Sequence, residues 1–320
     1  MRYIERRFLH SVLLLIGVSL LCFLFTDLAP GSYFDEMKLN PQISTDTIAA
    51  LKTQYGLDRS LPVRYSLWLK SVFRGEWGYS MAYNTPVRGL LLARARNTLI
   101  LTVLAVALSW LIAIPLGTWT ASSRGKWSER IFIGGTSLLL AIPELVLALA
   151  LLYLAVRTNA LPVGGMTSQT SGQAGLRSNL TDLAKHLVVP VAALVLASLP
   201  ILVRHVHTSM KEALNSSFIQ AARGHGVDDL RILFRYALPA AANPLISLFG
   251  FSVGGLLSAS LLVETVTGWP GLGPFLLDAA MSRDMYVVVG TVMASTLFMV
   301  FGNFVADLML IAVDPRIRAD

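Results

Sequence analysis

Six long apolar runs alternate along the chain with polar, mostly basic segments. The first, residues 8–28, follows Arg2, Arg6 and Arg7 and is close to the roughly 20 residues that a spanning helix needs. Residues 97–121 form the second, interrupted by Pro115 and Gly117, and residues 131–156 the third, broken at Pro143. A shorter fourth run, 186–203, holds Pro190 and Pro200, and the fifth and sixth cover 240–263 and 286–313. The pattern predicts an all-α membrane protein with six transmembrane helices. Proline and glycine are tolerated inside such helices because neighbouring helices re-satisfy the freed backbone groups.

The polar segments set the orientation. Arg2, Arg6 and Arg7, the 122–130 loop with Arg124, Lys126 and Arg130, and the basic stretch 204–239 fall on alternate sides of the runs from the outer loops, as the positive-inside rule requires. Both termini are therefore expected in the cytoplasm, with residues 30–96 outside. A cleaved signal peptide would have a shorter apolar core, and Pro30 stands where its cleavage would fall, so the first run is read as a retained helix. Within the outer region, helices are expected at 45–55, capped by Ser44 or Asp46, and at 62–73. Three divisions follow: 1–29 with the first helix, 30–96 outside, and 97–320 as the helical core with the cytoplasmic loop 204–239 between helices 4 and 5.

Composition narrows the class. Hydrophobic residues make up 54% and charged residues 14%, against roughly 25% charged in ordinary soluble domains. The net charge of +7 forms no basic stripe with aromatic platforms, which argues against nucleic acid and leaves membrane orientation as its meaning. The only cysteine, Cys22, lies in an apolar run and excludes a disulfide framework or a cysteine metal site.

Residues 215–239 form a polar island between two apolar runs. Met210, Leu214, Phe218 and Ala222 recur every fourth residue, which predicts one helix with one apolar stripe, stopped by Gly226. Asp228 or Asp229 can cap a second helix with an apolar face of Leu230, Leu233, Phe234 and Ala237, ended by Leu238-Pro239. The small pair Ala221-Ala222 would let another protein approach closely, so the island is read as a docking knob.

Other candidates are weighed by their context. Glu144 lies beside the Pro143 break; a carboxylate at mid-membrane costs about 2.5–3.5 kcal/mol, so it either lines a translocation path that favours cationic substrates or is a buried carboxyl bonded to a neighbouring helix or a partner subunit. Asn303 and Asp307, one turn apart in the last run, have the same two readings. His205 and His207 diverge on a helix and suit a surface better than a metal. Gly250-Phe251-Ser252-Val253-Gly254 matches a nucleophile elbow, but inside an apolar helix it reads as a small-residue packing motif. Leu161-Pro162-Val163-Gly164-Gly165 lacks the Lys and Ser/Thr of a phosphate cradle and reads as turns.

Gln220-Ala221-Ala222, then Gly226, then Tyr236-Ala237-Leu238-Pro239, resembles the coupling loop of ATP-binding-cassette importer permeases. Gln220 stands where that family usually has Glu, and His225 where its peptide branch usually has Lys. The segment from Leu57 to Tyr65, with Trp68-Leu69, Arg74-Gly75-Glu76-Trp77-Gly78-Tyr79-Ser80 and Pro86-Val87, resembles the dipeptide and oligopeptide branch; Ser32 replaces that branch's usual Asp. The stretch from Glu264 to Gly273, read as an outer loop from its glycines and proline, Arg283-Asp284 and the ending Asp314-Pro315-Arg316-Ile317-Arg318 are similar to the same branch.

That resemblance implies a permease subunit of an ATP-driven importer in a bacterial inner membrane, forming half of an alternating-access pore. Gln220, Ala221, Ala222, Gly226, Leu238 and Pro239 would meet the ATPase, and Gly271 and Gly273 would belong to an outer gate. Implied partners are a homologous second permease, two ATPase subunits that hold ATP and Mg, and an external substrate-binding protein. No cofactor, metal or enzymatic site is expected on this chain. Members of the branch transport peptides, nickel chelates, glycosides and opines, so the substrate stays open. A passive channel or an intramembrane hydrolase using Ser252 are the readings from other classes.

Overall fold

A computed structural model describes residues 2–31, 33–38, 44–123, 127–168 and 175–313. Ser32, Arg124, Lys126 and the ending from Asp314 to Arg318 lie outside the described residues. The elements in order are α1 (Arg2–Leu28), α2 (Tyr33–Met37), α3 (Thr45–Gln54), α4 (Leu61–Phe73), β1 (Tyr79–Ser80), β2 (Thr85–Pro86), α5 (Val87–Ser122), α6 (Trp127–Leu140), α7 (Glu144–Thr158) and α8 (Leu176–Leu214). There follow α9 (Ser217–Gly224), α10 (Asp229–Arg231), a π-helical turn (Ile232–Ala237), α11 (Leu238–Ala240), α12 (Ala242–Thr267), α13 (Leu272–Met281) and α14 (Met285–Val313).

The protein is an all-α membrane protein. Helices α1, α5, α8, α12 and α14 are each long and apolar enough to cross a membrane, and α6 with α7 makes a sixth span if the pair is counted as one. The break read at Pro143 from the sequence is sharp: the two halves meet at 94°. Pro143 leaves Ala141 and Ile142 bonded only to carbonyls three residues back, and a new helix starts at Glu144. Pro115, Pro190 and Pro200 instead lie within continuous helices. Helix α8 begins ten residues before the predicted fourth run, because residues 176–185 are polar but helical.

The described residues fall into two compact units, one within residues 4–97 and 270–298 and one within residues 2–3, 98–269 and 299–313. In the first, Ser44 caps α3 by accepting a hydrogen bond from the Thr47 amide, and Pro62 sits in the first turn of α4, as their sequence implied. Phe23 of α1 packs on Trp68 and Tyr65 of α4, with Val289 and Met293 of α14 in the same cluster. A short hairpin of two two-residue strands, β1 with β2, interrupts the helices. Asp284, 1% exposed, accepts hydrogen bonds from Ser80 Oγ at 2.6 Å and the Ala82 amide at 3.1 Å and so ties the hairpin to the start of α14.

The second unit holds most of α5 together with α6, α7, α8 and α12, with α7 packed on both α8 and α12. Ser109 and Ser198 share a hydrogen bond of 2.8 Å between α5 and α8, and Thr120 meets His207 at 3.1 Å lower on the same pair. Gly117 makes that approach possible, since a Cβ there would lie 2.6 Å from Val206. The Gly250 and Gly254 pair packs α12 on α14: a Cβ at Gly250 would lie 2.7 Å from Ala306 and one at Gly254 3.1 Å from Met299. This is the small-residue packing read from the sequence.

Candidate functional site

The polar island 215–239 does not fold as predicted. The expected helix through Met210, Leu214, Phe218 and Ala222 ends at Leu214; Asn215 and Ser216 break it, and α9 starts anew at Ser217. Ser216 adopts the extended conformation of an N-cap, which is why the four-residue stripe stops being one face. Met210 and Leu214 remain buried, whereas Phe218 is 49% exposed and Ile219 is the fully buried residue of α9.

Gly226, at φ +74°, makes the predicted left-handed turn, with the Val227 amide bonded back to the Ala222 carbonyl. Asp228, rather than Asp229, caps the next helix by accepting from the Leu230 amide at 3.1 Å. Asp229 pairs with Arg223 of α9 at 3.6 Å. The predicted apolar face of the second helix holds in part: Ala237 is fully buried and Leu233 packs partly on the core, but Leu230 and Phe234 are 65% and 63% exposed, and Ile232 is fully buried in their place. Ile232 and Ala237 lie five apart, the spacing that a π-turn brings onto one face.

The knob is therefore anchored by Ile219, Ile232 and Ala237, all members of the hydrophobic cluster formed by α5, α8 and α12. Facing outward are Gln220 and Ala221, the apolar Phe218, Leu230 and Phe234, and the cations Arg223, Arg231 and Arg235. Ala222 is half-buried, Gly226 and Pro239 are exposed, and Leu238 packs partly on the cluster. A surface of exposed arginines and projecting apolar groups, with Arg223 paired to Asp229, is rooted in the helix core and can bind another protein and pass a displacement to α8 and α12.

Glu144 is half-buried in the first turn of α7 and lines a cavity of about 170 Å³ together with Ser198 of α8 and Ser252 of α12. Nothing in the sequence joined these two serines to Glu144, since they lie in separate apolar runs. Ser252 Oγ donates to the Phe249 carbonyl at 2.7 Å and accepts from Trp110 Nε1 at 3.0 Å inside continuous α12. A nucleophile elbow needs a strand, a sharp turn and a helix, so this is a packing serine. Asn303 lies beside Gly250, its Oδ1 3.1 Å from where a Cβ would be, and Asp307 is 7% exposed on the same helix. The cavity lining includes neither of them. His205 Nδ1 meets its own helix at the Ile201 carbonyl, and His207 turns to Thr120.

Gly271 is the N-cap of α13 and Gly273 lies in its first turn, both buried. The sequence suggested a loop here. Instead Leu272–Met281 forms an apolar helix of 10 residues, too short to span a membrane, with the Pro270 carbonyl held by Asn97 Nδ2 at 2.8 Å. Glu264, placed by sequence in the same loop, is fully buried in the last turn of α12, which Gly268 ends at φ +64°.

Comparison with known proteins extends over the whole chain. The profile of the binding-protein-dependent transport system inner membrane component matches residues 113–319, and the N-terminal profile of the same systems matches residues 1–104. The oligopeptide transport system permease protein AppB of Bacillus subtilis is 34% identical over 320 residues, 99% of each chain. The dipeptide transport system permease protein DppB of Escherichia coli K12 is 30% identical, again over 99% of each chain. A methionine ABC transporter solved in inward-facing conformations has a chain of like fold, with TM-score 0.54 and 18% identity over 70% of this chain and 96% of that one.

Proposed function

The chain belongs to the family of binding-protein-dependent transport system inner membrane components, and we propose on that basis that it forms half of the pore of an importer of short peptides. It is a permease of the ATP-binding-cassette importer type and a multi-pass inner-membrane protein. The family implies an ATPase and a substrate-binding protein as partners. In our reading the full assembly adds a homologous second permease and two ATPase subunits holding ATP and Mg, with both termini of this chain in the cytoplasm. The peptide assignment is supported by the oligopeptide and dipeptide permeases to which the chain is similar along its length.

One observation supports the coupling role most directly: the exposed knob around Ala221 is rooted by fully buried Ile219, Ile232 and Ala237 in the cluster that holds α5, α8 and α12 together. When the ATPases close on ATP they push this knob, and because packed interiors transmit displacement instead of absorbing it, the helices that line the path move with it. Gly271 and Gly273 would close the path on the outer side.

The test is co-purification of the tagged chain from its native membranes. Ala221 is exposed, so Ala221→Arg disturbs the docking face without disturbing the core. The expected result is an ATPase, a second permease and a binding protein with the wild-type chain, and the ATPase absent with the variant. A chain that purifies alone, identically in both forms, would instead point to a passive channel.

A further inference from the structure

The unit that contains α1 to α4 and the hairpin has an open cavity of about 630 Å³ that none of the roles above uses. Small-molecule sites span roughly 300–1,000 Å³, so this one has room for a ligand of a few residues. Its walls come from the end of α3, from α4, from the hairpin and from the first turn of α5. Three guanidinium groups line it, those of Arg59, Arg64 and Arg88, against the single carboxylate of Glu76.

Arg64 is already paired with Asp27, and its side chain is 11% exposed. Arg59 and Arg88 form no ion pair with another described residue. Each nevertheless lies against a bare backbone turn. A Cβ at Gly56, φ +65°, would sit 3.7 Å from Arg59 Nε, and one at Gly75, φ +83°, 3.6 Å from Arg88 Nη1. The positive φ angles favour glycine at both turns. Tyr55 and Tyr79 stack at 5.4 Å on another wall, beside Trp77. An excess of fixed positive charge next to flat aromatic surface suits an anion with an organic body, and guanidinium forks match carboxylates two oxygens at a time.

We propose that this cavity binds the terminal carboxylate of a short peptide, with Arg59 and Arg88 holding the carboxylate and the aromatic rings holding the side chain. Naming a peptide rests on the transport reading above; the anion site itself rests on the cavity alone. A phospholipid phosphate offers the same charge chemistry, so the experiment separates the two sources.

The measurement is equilibrium binding of radiolabelled Ala-Phe, and of its C-terminal amide, to the full chain in nanodiscs of phosphatidylcholine, with and without phosphatidylglycerol. The free acid should bind in phosphatidylcholine alone, and the amide about tenfold or more weakly, the scale of one charge-assisted bidentate contact. Arg59→Gln and Arg88→Gln should each weaken the acid by about tenfold, Arg59→Lys and Arg88→Lys by less, with unchanged helical circular dichroism. Equal binding of acid and amide, or wild-type binding by both glutamine variants, overturns the proposal. Abolition of peptide binding by phosphatidylglycerol also overturns it and gives the cavity to a lipid headgroup. Peptide uptake by the intact importer is measured separately, so the transport reading and the cavity can fail independently.

Discussion

Asp284 links positions 204 and 202 residues away in sequence by accepting from Ser80 Oγ and the Ala82 amide. Ser80 is wholly buried, so removing the acceptor strands a buried hydroxyl and an amide at a cost of about 1–3 kcal/mol. Asp284→Ala should therefore speed hydrogen exchange and proteolysis across the 79–86 hairpin, and Asp284→Asn, which keeps an acceptor, should do so less. Identical hairpin protection in all three forms would remove this role. Glu144 belongs to the same scale. It shares its cavity with two serines, a lining that can accept an ammonium group, so Glu144→Gln should lower uptake of cationic peptides about tenfold relative to neutral ones, the effect of one lost charge contact. Equal losses for both kinds would make Glu144 a structural carboxyl and not a path residue.

Among the elements, the π-turn at Ile232–Ala237 shows how the knob keeps both an anchored and a free face. Its wider turn lets Ile232 and Ala237 enter the core together and leaves Phe234 outside. Deleting Phe234 would put Ile232 and Ala237 four apart, the spacing that an ordinary α-helix holds on one face, so both anchors would stay in the core while an exposed ring is lost from the docking face. We expect this deletion to keep the ATPase bound through α9 and uptake still coupled; ATP hydrolysis without uptake would show that the π-turn itself is needed. This turn also marks the limit of what the sequence discloses. Pro143, Gly226, Ser44 and Pro62 were legible because proline, glycine and capping residues act through their own backbone chemistry. The stripe from Met210 to Ala222 misled because a four-residue repeat assumes an unbroken helix, and a Ser cap at 216 interrupts it. Helix α13 was hidden by the Gly-Pro richness of its first turn. The contact of Asp284 with Ser80, and the gathering of Ser198 and Ser252 around Glu144, depend on pairings between distant runs, which no local pattern encodes.

For the whole molecule, docking an ATPase and moving the helices are separable demands, and the packing offers a way to separate them. Gly117 lets α5 approach α8 so closely that a Cβ would fall 2.6 Å from Val206 and 3.1 Å from the His207 amide nitrogen. Backbone on one side cannot yield as a flexible side chain can, so Gly117→Val must push the helices apart or tilt them, an overpacking cost of about 1–3 kcal/mol. The knob itself is untouched by this change, because its exposed residues lie on α9, α10 and the π-turn. In the assembled importer, Gly117→Val should therefore keep the ATPase bound and uptake should fall, whereas Ala221→Arg should lose both. Measuring co-purification and peptide uptake on the two variants in parallel tests whether α5 and α8 must move as a closely packed pair. If Gly117→Val transports at the wild-type rate, that pair is not part of the moving machinery, and the displacement passes from the knob through α12 instead.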